Sequence, residues 1–143
     1  MNGLPSSLEY LNCSQYEINH LDNLPHNLNK LICINNQLDR LNMIPETIKY
    51  LDCDHNCITQ LDDLPNSVEH LICSNNKITE LNNLPKKLIF LDCSTNKIEE
   101  IEFLHDLLEK LNIKSNPITK ITINSDKLKN IEAEPETKIN KFI

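Results

Sequence analysis

Glycine and tryptophan are what this 143-residue chain most conspicuously lacks: it has one glycine, Gly3, and no tryptophan. A loop that cradles a phosphate needs several glycines, which approach a ligand closely and turn freely through positive φ. Neither G-x-G-x-x-G nor G-x-x-x-x-G-K can be written in this sequence, so nucleotide-phosphate loops are excluded. Positive charge is scarce as well. The net charge is −7, and half of the 14 Lys and Arg residues fall between Lys110 and Lys141, leaving residues 1–104 distinctly acidic. That balance argues against nonspecific binding to nucleic acid or to an anionic membrane and suits a basic ligand better. No run approaches the roughly 18 apolar residues of a membrane-crossing helix. Met1-Asn2-Gly3-Leu4-Pro5 also lacks the basic and apolar regions of a secretory signal. The expectation is a soluble protein, intracellular and cytoplasmic, without nucleic-acid or membrane partners.

Catalytic constellations are missing too. There is no C-x-x-C pair and no H-E-x-x-H, the spacings that bring metal ligands together. The histidines, His20, His26, His55, His70 and His105, share no phase, and no Ser-His-Asp or paired-carboxylate arrangement stands out. Cys53-Asp54-His55-Asn56-Cys57 gathers metal-binding residue types, but within one short segment whose Cys53 belongs to the interior pattern described next. The sequence therefore reads as non-enzymatic, with no catalytic residues, no cofactor and no metal.

What is present is a period. Leu-Pro recurs at Leu4-Pro5, Leu24-Pro25, Leu64-Pro65 and Leu84-Pro85, with Ile44-Pro45 in phase. Cysteine keeps the same 20-residue beat at Cys13, Cys33, Cys53, Cys73 and Cys93, with Ile113 sixth. Three residues later come Asn36, Asn56, Asn76, Asn96 and Asn116, with Tyr16 in the first slot. The unit is L-P-x-x-L-x-x-L-x-C-x-x-N-x-I-x-x-L-x-x, copied about six times over residues 4–123. Repeats of this length stack as a solenoid, because one unit cannot bury its own apolar face. The motif L-x-x-L-x-C-x-x-N-x-I resembles the signature of leucine-rich repeats, and its Leu-Pro opening is similar to the LPX-type repeats of bacterial effectors. Similar short repeats occur in proteins encoded by giant DNA viruses of amoebae. The resemblance implies a leucine-rich-repeat arc with a parallel β-sheet on its concave face. It also implies a protein partner, a host protein and the host cytoplasm included. The ubiquitin-ligase domain of some such effectors does not transfer, since no residues remain to build it.

Within each unit, x-L-x-C alternates, so Leu51 and Cys53 face one side and Tyr50 and Asp52 the other. Stacked strands of this kind form a parallel sheet with leucine and cysteine columns inside. Cys13, Cys33, Cys53, Cys73 and Cys93 then read as a ladder of reduced, buried thiols. Asn36, Asn56, Asn76, Asn96 and Asn116 read as a structural ladder, because a buried amide both donates and accepts where the chain leaves the strand. The Leu-Pro return side should be extended or polyproline-like with isolated turns and little helix. The whole of 1–143 reads as one domain, with 124–143 a degenerate last repeat, cap or tail in which the pattern fades from Asn124 onward.

The outward strand positions are the candidate contact surface. One series runs Tyr10, Lys30, Tyr50, His70, Phe90, Lys110, the other Asn12, Ile32, Asp52, Ile72, Asp92, Asn112. Both alternate, as though a 40-residue pair of coils had been duplicated. Tyr10, Lys30, Ile32, Tyr50, Asp52, His70, Ile72, Phe90, Asp92 and Lys110 form the expected concave partner-binding strip, with Asp54, His55, Asn75 and Thr95 at its rim. The acidic return residues, Asp22, Asp39, Asp62, Asp63, Glu80, Glu99 and Glu100, read as a solvated face. The alternative function is a self-assembling structural protein that uses an uncapped N-terminal sheet edge or Cys57, the cysteine outside the ladder.

Overall fold

The computed structural model describes residues 3–102, 104, 107–123 and 127–141. His105, where proline breaks from the repeat, and Asn124, where the pattern starts to fade, lie outside the described residues.

Short strands recur every 20 residues: β1 (Tyr10–Asn12), β2 (Lys30–Ile32), β3 (Tyr50–Asp52), β4 (His70–Ile72) and β5 (Phe90–Asp92). After β6 (Glu100–Ile101) come β7 (Lys110–Asn112), β8 (Lys120–Ile123), β9 (Asn130–Glu132) and β10 (Lys138–Lys141). The main sheet is parallel, in the order β1-β2-β3-β4-β5-β7-β9. Its register follows the sequence period without slip, Tyr10 opposite Lys30, Lys30 opposite Tyr50, and so on to Lys110 opposite Asn130. This is a solenoid whose sheet lies on the concave side, and no helix occurs among the described residues.

The period explains the core. Leu31, Leu51, Leu71 and Leu91 point inward from the strands with no solvent exposure, as do Cys33, Cys53, Cys73 and Cys93. Ile58, Ile78 and Ile98 close the far side of the strand turn, and Leu28, Ile48, Val68 and Leu88 bring the chain back to the next strand, all without exposure. Each fully buried side chain of this size contributes about 1.5–3 kcal/mol, and each reaches that burial only with a neighbouring coil on either side.

The return side is extended and carries turns, as the Leu-Pro motif predicts. Pro25, Pro45, Pro65 and Pro85 each accept a hydrogen bond at their carbonyl from the N–H three residues on, at Leu28, Ile48, Val68 and Leu88. The fixed φ of proline sets this tight turn, and its missing N–H costs nothing there. Towards the C-terminal end, β6, β8 and β10 form a second, three-stranded parallel sheet on the return side, in the order β10-β8-β6. The sequence pattern carries no sign of it.

Scarcity of glycine does not mean scarcity of left-handed backbone. Positive φ recurs at Gln15, Asn35, His55, Asn75, Thr95 and Ser115, just before the asparagine-ladder position, and at Asn23, Met43, Asp63 and Asn83, just before Leu-Pro. Asparagine and aspartate tolerate this region best among non-glycine residues, which explains part of the asparagine richness. The turn is useful: the N–H groups of Asn35, His55, Asn75 and Thr95 each still reach a carbonyl of the next coil, at 2.8–3.2 Å.

Candidate binding face

The asparagine column positions everything after the strand. Asn76 accepts from the Ile58 N–H at 2.9 Å and donates to the carbonyls of Cys53, Cys73 and Ser74 at 3.0, 3.1 and 2.9 Å. Asn56 and Asn96 repeat the pattern one coil to either side. Asn36 accepts from the N–H groups of Tyr16 and Ile18, and Asn116 from that of Ile98. One amide thus satisfies orphaned backbone groups in two coils at once, buried at Asn36, Asn56, Asn76 and Asn96 and half-buried at Asn116. Tyr16 fills the first slot, and its side chain is exposed.

The cysteine column is packing. Cys13, Cys33, Cys53, Cys73 and Cys93 are buried free thiols, and the Sγ atoms of Cys33, Cys53 and Cys93 point at next-coil carbonyls 3.3–3.5 Å away. Burial pushes the thiols of Cys33, Cys53, Cys73 and Cys93 far above the ordinary range, so they stay protonated and unreactive. Cys57 alone of the six cysteines is not buried.

On the other face of the same strands, the register lines up Tyr10, Lys30, Tyr50, His70, Phe90 and Lys110 in one column. The His70 ring stacks between Tyr50 and Phe90, with centroids 6.2 and 5.9 Å apart and rings tilted by 27° and 28°. Lys30 Nζ sits 4.2 Å from the Tyr50 ring centroid and 5.9 Å from that of Tyr10, a cation–π arrangement. From Tyr10 to Phe90 the column is therefore preordered: each of these side chains is braced by a neighbour yet remains partly or fully open to solvent, and Lys110 beyond them is exposed.

The second column divides by residue type. Ile32 and Ile72 are half-buried apolar contacts. Asp92 accepts from the Ser94 N–H at 3.0 Å and Asp52 from the Asp54 N–H at 3.2 Å, a turn-closing bond that Asn12 and Asn112 also make. Asp52 differs from the sequence expectation: at 8% exposure it is the buried member of the proposed strip, and its carboxylate is used in this turn. Burial raises its pKa, reinforced by Asp54 and Asp92 against the Asp54 N–H and Lys30.

Three of the four rim residues converge. Asp54 accepts from Ser74 Oγ at 2.6 Å, Asn75 Nδ2 at 2.9 Å and His55 Nδ1 at 2.7 Å. Burial opposes its ionisation, but these bonds and the nearby imidazole outweigh it and lower its pKa. Thr95 stands apart from this cluster, one coil further on. The pairing of Asp54 with Ser74 could not be read from spacing, because Ser74 belongs to a phase with no fixed residue type.

The fold of the chain matches solved structures. One is the leucine-rich-repeat domain of a Shigella effector, with TM-score 0.75 and 25% identity over 93% of this chain and 64% of that one. The fold is a leucine-rich-repeat solenoid. YopM from Yersinia enterocolitica matches with TM-score 0.56 and 26% identity over 98% of this chain and 43% of that one. YopM from Yersinia pestis, a leucine-rich effector protein, matches in fold with TM-score 0.63 and 23% identity over 88% of this chain and 49% of that one. The solenoid thus spans less than two thirds of these neighbours' length. No protein-family model and no curated protein matches the chain. Leucine-rich-repeat domains of effectors serve in general as protein-interaction modules. No helix among the described residues is long and apolar enough to cross a membrane.

Proposed function

We propose that the solenoid is a non-catalytic interaction module that binds a partner protein on its concave face, in the cytoplasm, with a host protein as the partner if the chain acts as an effector. The observation that carries this reading is the braced column Lys30-Tyr50-His70-Phe90 on an open sheet, flanked by Ile32, Ile72 and Asp92. Aromatic rings already held in one orientation lose little side-chain entropy on binding, which is the property of an interface hot region. Asp54, His55 and Asn75 supply a polar rim on one side.

The test is capture from a host-cell lysate with the wild type and with Tyr50→Ala combined with Phe90→Ala, followed by mass spectrometry. A protein held by the wild type and lost by the double variant supports the reading, provided circular dichroism is unchanged. Equal capture by both refutes the concave assignment. Self-assembly is the second reading, motivated by the outer edge of β1, which has no strand partner among the described residues, and by the half-buried Cys57. Light scattering that reports a monomer at high concentration, with and without reductant, would eliminate it.

A further inference from the structure

The return side changes character between the fourth and fifth coils. Coil four forms no strand at Glu80-Leu81 and turns at Asn82-Asn83, with Asn83 at φ 56°. In phase with Glu80-Leu81, coil five forms β6 (Glu100–Ile101), which among the described residues pairs with β8 on one edge only. No hydrogen bond joins residues 80–83 to residues 99–102 among the described residues. Beyond the Lys97 N–H to Ile78 carbonyl bond at 2.9 Å, a groove of about 940 Å³ lies between the two segments. Leu81, Leu84 and Leu104 line it; among the described residues Glu80, Glu99, Glu100 and Glu102 also line it, with Lys97 as the one cation.

We infer that this groove is a second docking site. It takes an extended segment of a partner protein, with Lys or Arg alternating with apolar residues, as an added strand on the open edge of β6. An unpaired strand edge presents backbone donors and acceptors that an extended peptide satisfies. The carboxylates select the charge. The molecule itself supplies the template on the opposite edge of β6, where β8, Lys-Ile-Thr-Ile in sequence, sets Lys120 opposite Glu100 and Ile121 opposite Ile101. A segment on the free edge meets the same two columns, with its basic residues beside the exposed Glu100 and its apolar residues over the lining leucines. The acidic return residues are then more than a solvated face.

The probe is a fluorescein-labelled Lys-Ile-Thr-Ile-Lys-Ile peptide titrated against the full chain by fluorescence anisotropy. Saturable binding is expected that weakens with salt and falls about tenfold or more in Glu80→Lys with Glu100→Lys. Both of those side chains are exposed, so the fold should be unaffected. The same peptide N-methylated at alternate residues should not bind, because methylation removes the edge bonds and keeps the charge. Equal binding of a Glu-for-Lys peptide, or of the N-methylated one, overturns the inference, as does unchanged affinity in the double variant. A wild-type dimer that the Glu80→Lys, Glu100→Lys variant splits would assign the groove to a second copy and overturn the partner segment. Tyr50→Ala with Phe90→Ala should leave peptide binding intact, which separates this site from the concave face.

Discussion

At position 95 a β-branched threonine holds φ at 54°, whereas the same slot carries Asn35, His55 and Asn75 in the coils before it. Left-handed backbone costs an ordinary L-residue about 1–2 kcal/mol, and asparagine less. Thr95→Asn should therefore stabilise the solenoid by about 1 kcal/mol in chemical denaturation; no gain would mean that the threonine side chain offsets the strain. Asp52 offers a test of the opposite kind. Its pKa is raised in the fold, so the stability it contributes is present below the ordinary aspartate range and is lost as pH rises through the raised value. Asp52→Asn keeps the acceptor for the Asp54 N–H and removes the charge. Its melting temperature should exceed the wild type's at neutral pH, with the gap closing near pH 3. A gap that is constant with pH would refute this account. Ser67 Oγ is buried without a partner among the described residues, while in the same slot Thr47 donates to the carbonyls of His26 and Leu28 and Asn27 to that of Ser6.

The element that matters most is the strand-to-turn corner, because its backbone groups have no strand partner and rely on one amide each. Asn76→Ala should cost about 3 kcal/mol, since it orphans the Ile58 N–H and carbonyls of two coils inside the core. Asn116→Ala should cost distinctly less, because Asn116 is only half-buried and water can take over its bonds. Urea titrations of the two variants check the order, and equal losses would mean that the ladder is not limited by desolvation. The corner was legible in the sequence through its fixed asparagine. Its left-handed residue was not, because no glycine marks it and the tolerant residues, asparagine, aspartate and histidine, are common everywhere in this chain. The turn-closing role of Asp52 and Asp92 was hidden for a related reason: an aspartate facing solvent in a strand pattern reads as a contact until its neighbour's N–H is seen beside it.

Taken whole, the molecule is a column in which each coil is stabilised by the coils on either side. Stability is then close to a sum of coil and interface contributions. Thiol chemistry reports on this directly. Cys57 is expected to react with an aromatic disulfide reagent in the native state, and the five ladder cysteines only after unfolding. Rapid native reaction of several thiols would contradict a packed ladder.

The sequence by itself determined the period, the inward leucine, cysteine and isoleucine columns, the asparagine corner and the two outward series, because each depends only on alternation along a strand and on exact 20-residue repetition. Tertiary structure alone decided how those series behave. The stacking of Tyr50, His70 and Phe90 and the bonds of Ser74 and Asn75 to Asp54 arise between residues about 20 apart, in phases where residue type varies, and the burial of Asp52 likewise appears only once the coils are stacked. The return-side groove lies furthest from the sequence. The repeat passes from Leu81 to Ile101 without losing phase, yet only Ile101 lies in a strand, and a change in hydrogen-bond partner leaves no mark on a period.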